Sequence, residues 1–314
     1  MVPKGSVGVD IAQKNQMAFE ESTDGAAGRR PLQDRPLIWF LPALILLLVV
    51  TLYPLVYVIW MSFQETHYYE LTGFIGLQNY LDVFTSREFI DSSVASLIYV
   101  FGSLALAIPF GMYAAITFNA LGSLASLFRV ITLLPWTLSM GVVASLWLWM
   151  LNPSYGPVNY AVASLGLTPG LLLGDPDLAI WILVIVTAWW SFPYVMVMAT
   201  AALQSVPSEL YEAVDMDGGG GVAKFRYVTF PHLLPTLGST ALNLAILYLT
   251  VVTLILVLTG GGPLGLTSTW SYEVFTGTVQ NVNIAPAAVY SIIVLAANLV
   301  LGFVYVRSTG RTTG

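Results

Sequence analysis

Six long stretches of this sequence carry almost no formal charge: residues 37–63, 94–117, 128–150, 178–203, 233–258 and 285–306. Within them Arg129 is the single charged side chain, one turn from the start of the third, where its stem can snorkel to an interface. Each stretch supplies the roughly 20 mainly apolar residues that cross a bilayer as a helix. Only 9% of the residues are charged, against roughly 25% in an ordinary domain, too few to cover so much apolar chain in water. The expected fold is therefore all-α and polytopic, with six transmembrane helices. Residues 1–36 are polar, contain glycine and lack apolar periodicity, so a disordered tail is expected there, with a second short tail at 307–314.

The placement of basic residues sets the expected orientation, because Lys and Arg mark the cytoplasmic side and acidic residues matter little. Of 11 Lys and Arg, ten fall in the two tails, the connection between the second and third spans with Arg129, and the loop 204–232. Arg87 alone lies on the other side, which instead carries Glu65, Glu70, Asp82, Glu88, Asp91, Asp175, Asp177 and Glu273. Both termini are expected in the cytoplasm, with an acidic, aromatic surface outside.

Several activities are excluded. The chain has no cysteine and only two histidines, which leaves no thiolate metal site or cysteine nucleophile and little for haem or zinc. No metal and no cofactor are expected. Ion-coupled transporters and intramembrane proteases need titratable groups at membrane depth, whereas His67 falls in an outer loop and His232 at a cytoplasmic boundary. A phosphate-binding loop would end in Gly-Lys-Ser/Thr, yet Lys4, Lys14 and Lys224 are followed by Gly, Asn and Phe. If this chain transports, another subunit hydrolyses the ATP.

The loop 204–232 is built to meet such a subunit. Ser205 is expected to cap a short helix, with Pro207 in its first turn and Glu209 at its positive end. Leu210, Ala213, Val214 and Met216 form its apolar stripe and the glycines at 218–221 end it. Glu209, Glu212, Asp215 and Asp217 make it acidic, unlike helices that lie on anionic lipid, so docking into a protein groove is the better reading. The run Glu212-Ala213-Val214-x-x-Asp217-Gly218, followed by Phe225, Pro231 and Pro235, resembles the E-A-A…D-G…F…P signature of binding-protein-dependent ABC transporter permeases. Gly76-Leu77-Gln78-Asn79-Tyr80, Phe192-Pro193-Tyr194 and Thr259-Gly260-Gly261-Gly262-Pro263 resemble further marks of the maltose-type sugar permeases, a group related to the glycerol-3-phosphate permeases. Val214, Gly219 and Ala285 depart from the pattern. The resemblance implies the type I ABC importer permease fold in a bacterial inner membrane, with Glu209, Glu212, Ala213, Asp217 and Gly218 contacting the ATPase. It also implies a second homologous permease, two copies of the ATPase and an extracytoplasmic sugar-binding lipoprotein as partners, and no nucleic acid.

Sugars are held by hydroxyl-bonding side chains beside flat aromatic faces. Thr187, Trp190, Ser191 and Tyr194 fall at i, i+3, i+4 and i+7 on one face of the fourth span. By resemblance the next span adds Asn243, Tyr248 and Thr250. The competing reading is that these aromatics belong to interfacial belts and the hydroxyls to helix packing. The missing intramembrane cations favour a neutral di- or oligosaccharide such as the trehalose or maltose class, with glycerol 3-phosphate or another polar solute as the alternative and a membrane scaffold or enzyme as a remote one.

Overall fold

The computed structural model describes residues 36–165 and 172–309; the expected N-terminal tail, apart from Pro36, and residues 310–314 lie outside them. The chain divides into two units at Tyr57 and Val58. In the first, α1 (Pro36–Met61, whose last turn passes into the second unit) is apolar on every face, with a mean hydropathy of 2.5 from Trp39 onward.

The second unit holds the bundle. A hairpin of β1 (Gln64–His67) and β2 (Glu70–Phe74), not expected from the sequence, turns through Tyr68 at φ 56° and leads into α2 (Gln78–Thr85). Then come α3 (Arg87–Asn119), α4 (Ala125–Thr137), α5 (Met140–Met150), α6 (Pro157–Ser164) and α7 (Ala179–Gln204). The remainder is α8 (Ser208–Met216), α9 (Gly221–Thr250), α10 (Thr253–Leu258), α11 (Trp270–Phe275) and α12 (Ile284–Thr309). Five helices among the described residues are long and apolar enough to span a membrane, or six with one bent pair counted as a span.

That bent pair covers the stretch expected as the third span, and it is broken: α4 and α5 meet at 95°. Leu138 is extended, and Ser139 restarts the helix by accepting the Val142 amide on its hydroxyl. The fifth span is likewise not continuous over 233–258. It begins lower, through a π-helical stretch at Phe225–Thr229, and breaks at Val251, whose extended backbone separates α9 from α10. The freed Val251 carbonyl is not left orphaned, because Ser271 Oγ donates to it at 3.0 Å.

The core forms where α3 packs along α7. Small residues let the two approach: a Cβ on Gly111 would sit 2.5 Å from Val195 Cβ and 2.6 Å from the Phe192 carbonyl, and one on Gly102 3.2 Å from Val184. This is the membrane mode of helix association, in which small residues and interhelical hydrogen bonds replace the hydrophobic drive. The permease marks read from the sequence prove to be joints. Gly76 takes φ +64°, Asn79 Nδ2 donates to the Ser62 and Gln64 carbonyls at 2.9 and 2.8 Å, and Tyr80 meets the Ser62 hydroxyl at 2.7 Å. Gly260 and Gly261 both have positive φ, and a Cβ on Gly261 would collide with the Tyr272 ring.

Candidate transport pathway and coupling surface

Mid-span side chains of α7 split into two groups. Thr187 and Ser191 are fully buried, and Tyr248 of α9 is nearly so. Thr187 Oγ1 donates to the Tyr99 hydroxyl of α3 at 3.1 Å. Ser191 Oγ donates to the Thr187 carbonyl at 2.7 Å, which leaves its oxygen to accept from the Tyr248 hydroxyl. The Tyr99 and Tyr248 rings lie 6.0 Å apart. Three helices are thereby tied by one closed polar network in which each hydroxyl has a partner, as an apolar interior requires.

The second group faces the bend of the third span. Trp190 Nε1 donates to the Leu138 carbonyl at 3.2 Å, satisfying the backbone where α4 ends. Trp136 sits between two rings of α7, its centroid 4.3 Å from Trp190 and 5.0 Å from Tyr194, the latter pair nearly parallel at 19°. These three rings pack on one another as an aromatic cluster beside the break, with Trp190 buried and Trp136 and Tyr194 half-buried. Trp136 was not singled out from the sequence; the signal was Pro135-Trp136 followed by the capping residue Ser139, a helix stop and restart inside an apolar run.

On α9, Asn243 and Thr250 are exposed on the helix surface, unlike Tyr248. Thr250 Oγ1 donates to the Ile246 and Leu247 carbonyls at 3.1 and 3.0 Å, which leaves its lone pairs free to accept.

Above α9, on the side with the acidic loops, the chain folds back through α10 and α11. Trp270 is held from α3, its amide on Ser96 Oγ at 2.9 Å and its Nε1 on Ser93 Oγ at 3.0 Å. Thr267 Oγ1 bonds the Gly262 carbonyl and Thr259, while Ser268 bonds Glu273. Burial holds the Tyr272 phenol above its usual range, opposed by a hydrogen bond with Gln280.

The loop 204–232 carries α8 on the basic side. The cap differs from expectation: Ser205 closes α7, its Oγ donating to the Ala202 carbonyl at 2.8 Å and lying 3.1 Å from His232 Nε2, while α8 starts after Pro207 without a side-chain cap. The helix ends as read. Gly218 takes φ +75°, and the Gly219 amide reaches the Val214 carbonyl at 2.8 Å. A Cβ on Gly219 would meet Val214 Cγ1 at 2.5 Å, so this departure from the family pattern is demanded by local packing. No residue of α8 is buried; Glu209, Glu212, Ala213, Asp217 and Gly218 are all exposed, as are Leu210 and Met216. Lys224 bridges to Asp215 at 2.7 Å and Tyr211 bonds Thr229 at 3.1 Å, anchoring α8 to the base of α9.

A family model described as "Binding-protein-dependent transport system inner membrane component" matches residues 107–313. The chain belongs to this family. It is a multi-pass ABC importer permease, a subunit that is itself non-catalytic. The trehalose/maltose transport system permease MalF of Thermococcus litoralis is 34% identical over 239 residues, 76% of this chain and 81% of that protein. The sn-glycerol-3-phosphate permease UgpA of Pectobacterium atrosepticum is 27% identical over 278 residues, 87% and 92% of the two chains. In fold, the chain matches a bacterial alginate ABC transporter crystallised with an alginate pentasaccharide-bound periplasmic protein, with TM-score 0.78 at 22% identity over 91% of this chain and 99% of that one.

Proposed function

We propose that this permease forms half of the translocation pathway for a neutral di- or oligosaccharide of the trehalose or maltose class. A second homologous permease supplies the other half, an extracytoplasmic binding protein delivers the sugar, and two copies of an ATPase drive the pair from the cytoplasmic side, one of them docking at α8. Both termini are cytoplasmic in this reading, following the ten basic residues against one. The observation that carries it is the aromatic cluster of Trp136, Trp190 and Tyr194, with Trp136 and Tyr194 half-buried at its edge, within spans that hold no charge at mid-depth. Flat rings cover the apolar face of a pyranose, and Asn243 and Thr250 offer exposed polar atoms for its hydroxyls. Thr187, Ser191 and Tyr248 contribute by fixing α7 against α3 and α9. The 34% identity to a trehalose/maltose permease supports the class.

The likeness to UgpA supports a second reading, transport of glycerol 3-phosphate. A phosphate needs a cationic partner at membrane depth, which the sister subunit would have to supply. Proteoliposomes holding the complete transporter separate the two. Labelled trehalose or maltose uptake, competed by unlabelled disaccharide and not by glycerol 3-phosphate, is the expected result; uptake of the phosphate alone would replace the first reading with the second.

A further inference from the structure

α2 is divided lengthwise into three sectors. Asn79 and Val83 are buried against the bundle, Gln78, Asp82 and Thr85 face water, and Gln78 Nε2 bonds Asp82 at 2.7 Å. The third sector, which starts at the capping residue Leu77, is apolar and uncovered: Leu77, Leu81 and Phe84, at i, i+4 and i+7, are 62%, 58% and 49% exposed. A helix that needs only protein and water has two sectors; a third, apolar one needs another phase or another partner.

We infer that α2 is an interfacial helix that rests its Leu77, Leu81 and Phe84 edge on the phospholipid of the extracytoplasmic leaflet. Position, continuity and charge all favour lipid. From Asn119 at the basic end of α3 to Ile90 is about 44 Å at 1.5 Å per residue, the thickness of a bilayer with its headgroups at ~40–45 Å. α2 directly precedes that point, at headgroup level. The uncovered edge also runs on into the outward face of α3, where Ile90, Val94, Leu97 and Phe101 are exposed at i, i+4, i+7 and i+11. Exposed Tyr68, Tyr69 and Phe74 of the neighbouring hairpin extend the patch with the ring types that gather at membrane interfaces. Rings pack in series from Phe74 through Phe63, Tyr80, Phe84 and Phe89 to Tyr290, at centroid spacings of 5.0–6.5 Å, joining this edge to α12. The surrounding charge is acidic, with Glu65, Glu70, Asp82, Glu88 and Asp91, so the matching headgroup is zwitterionic and anionic lipid is disfavoured. α2 would then hold the hairpin and the start of α3 at fixed depth while the bundle changes conformation.

The inference rests on the multi-pass, acidic-side-outward reading and not on the transported sugar. Because the chain has no cysteine, single cysteines at Leu77, Leu81, Phe84 and Asp82 can each carry an environment-sensitive fluorophore in the full complex. In phosphatidylcholine nanodiscs containing lipid spin-labelled near the headgroup, labels at 77, 81 and 84 should be quenched at least twofold more than the label at 82. Saturating the complex with the binding protein should leave this difference unchanged, and replacing half the lipid with phosphatidylglycerol should reduce it. Equal quenching at all four sites overturns the inference. So does quenching present in the isolated permease but lost in the complex, or lost on adding the binding protein, either of which makes the edge a protein contact. Three apolar positions guard against one variant failing to assemble, and sugar uptake, measured separately, can fail without altering the quenching.

Discussion

Gly111 illustrates how single residues set the geometry of this bundle. A side chain there would meet backbone as well as Val195, so α3 and α7 would have to separate. Gly111→Val is expected to destabilise the purified permease by about 1–3 kcal/mol, the usual cost of overpacking, read as a lower thermal midpoint in detergent. The Tyr99–Thr187–Ser191–Tyr248 network is worth less. Interhelical hydrogen bonds in membranes average about 0.6 kcal/mol with a maximum near ~1.7, so Tyr248→Phe should lower stability by that order and leave assembly intact. The aromatic cluster is expected to act on transport as well. Tyr194→Ala should weaken sugar uptake by at most a few kcal/mol, the scale of a lost hydrogen bond or ring contact, in a complex that still forms, whereas Trp190→Ala should also lower stability because it empties a buried site and removes the donor to the Leu138 carbonyl. Uptake unchanged in both variants would assign these rings to packing.

At the scale of elements, α8 is where local rules and function meet. Open space surrounds the Cβ position of Gly218, so Gly218→Val is strained only by its left-handed backbone, at roughly 1–2 kcal/mol. The expected outcome is a permease that inserts and pairs normally but loses the ATPase on purification. Full ATPase recovery from that variant would mean that the end of α8 does not matter for docking. This helix was legible in the sequence because its stripe, its acidic turn and its glycine stop are all local. Its cap was misread, since Ser205 serves the helix before it and not the one after. The spans were legible for the same reason, as runs without charge, but the breaks at Leu138 and Val251 were not. Each lies inside an apolar run, and each depends on partners distant in sequence: Trp190 for the Leu138 carbonyl and Ser271 for that of Val251. The division of the α7 face into a hydroxyl network and an aromatic cluster was hidden likewise, because it needed Tyr99, Tyr248 and Trp136 from other helices. The β1–β2 hairpin has no strong alternation to announce it; its end is held by Thr66 Oγ1, which donates to Asn283 at 3.0 Å.

For the whole molecule, the ten-to-one split of basic residues predicts which side each loop faces. Cysteines at Glu88 and Leu264, both exposed on the acidic side, should react with an impermeant maleimide added to intact cells. A cysteine at Ser205 should react only after permeabilisation. The reverse pattern would invert the topology and remove α8 from the ATPase. The central claim is that this subunit is a sugar pathway driven through α8, and it brings both ends of the molecule into one assay. Glu212 is exposed on α8 and carries the charge that a basic groove on the ATPase would meet. The measurement is ATP hydrolysis by the reconstituted complex, with and without sugar-loaded binding protein, for the natural chain and for Glu212→Lys. The account predicts sugar-dependent stimulation for the natural chain and its loss in the variant, with the paired permeases still assembled; equal stimulation in both would contradict it.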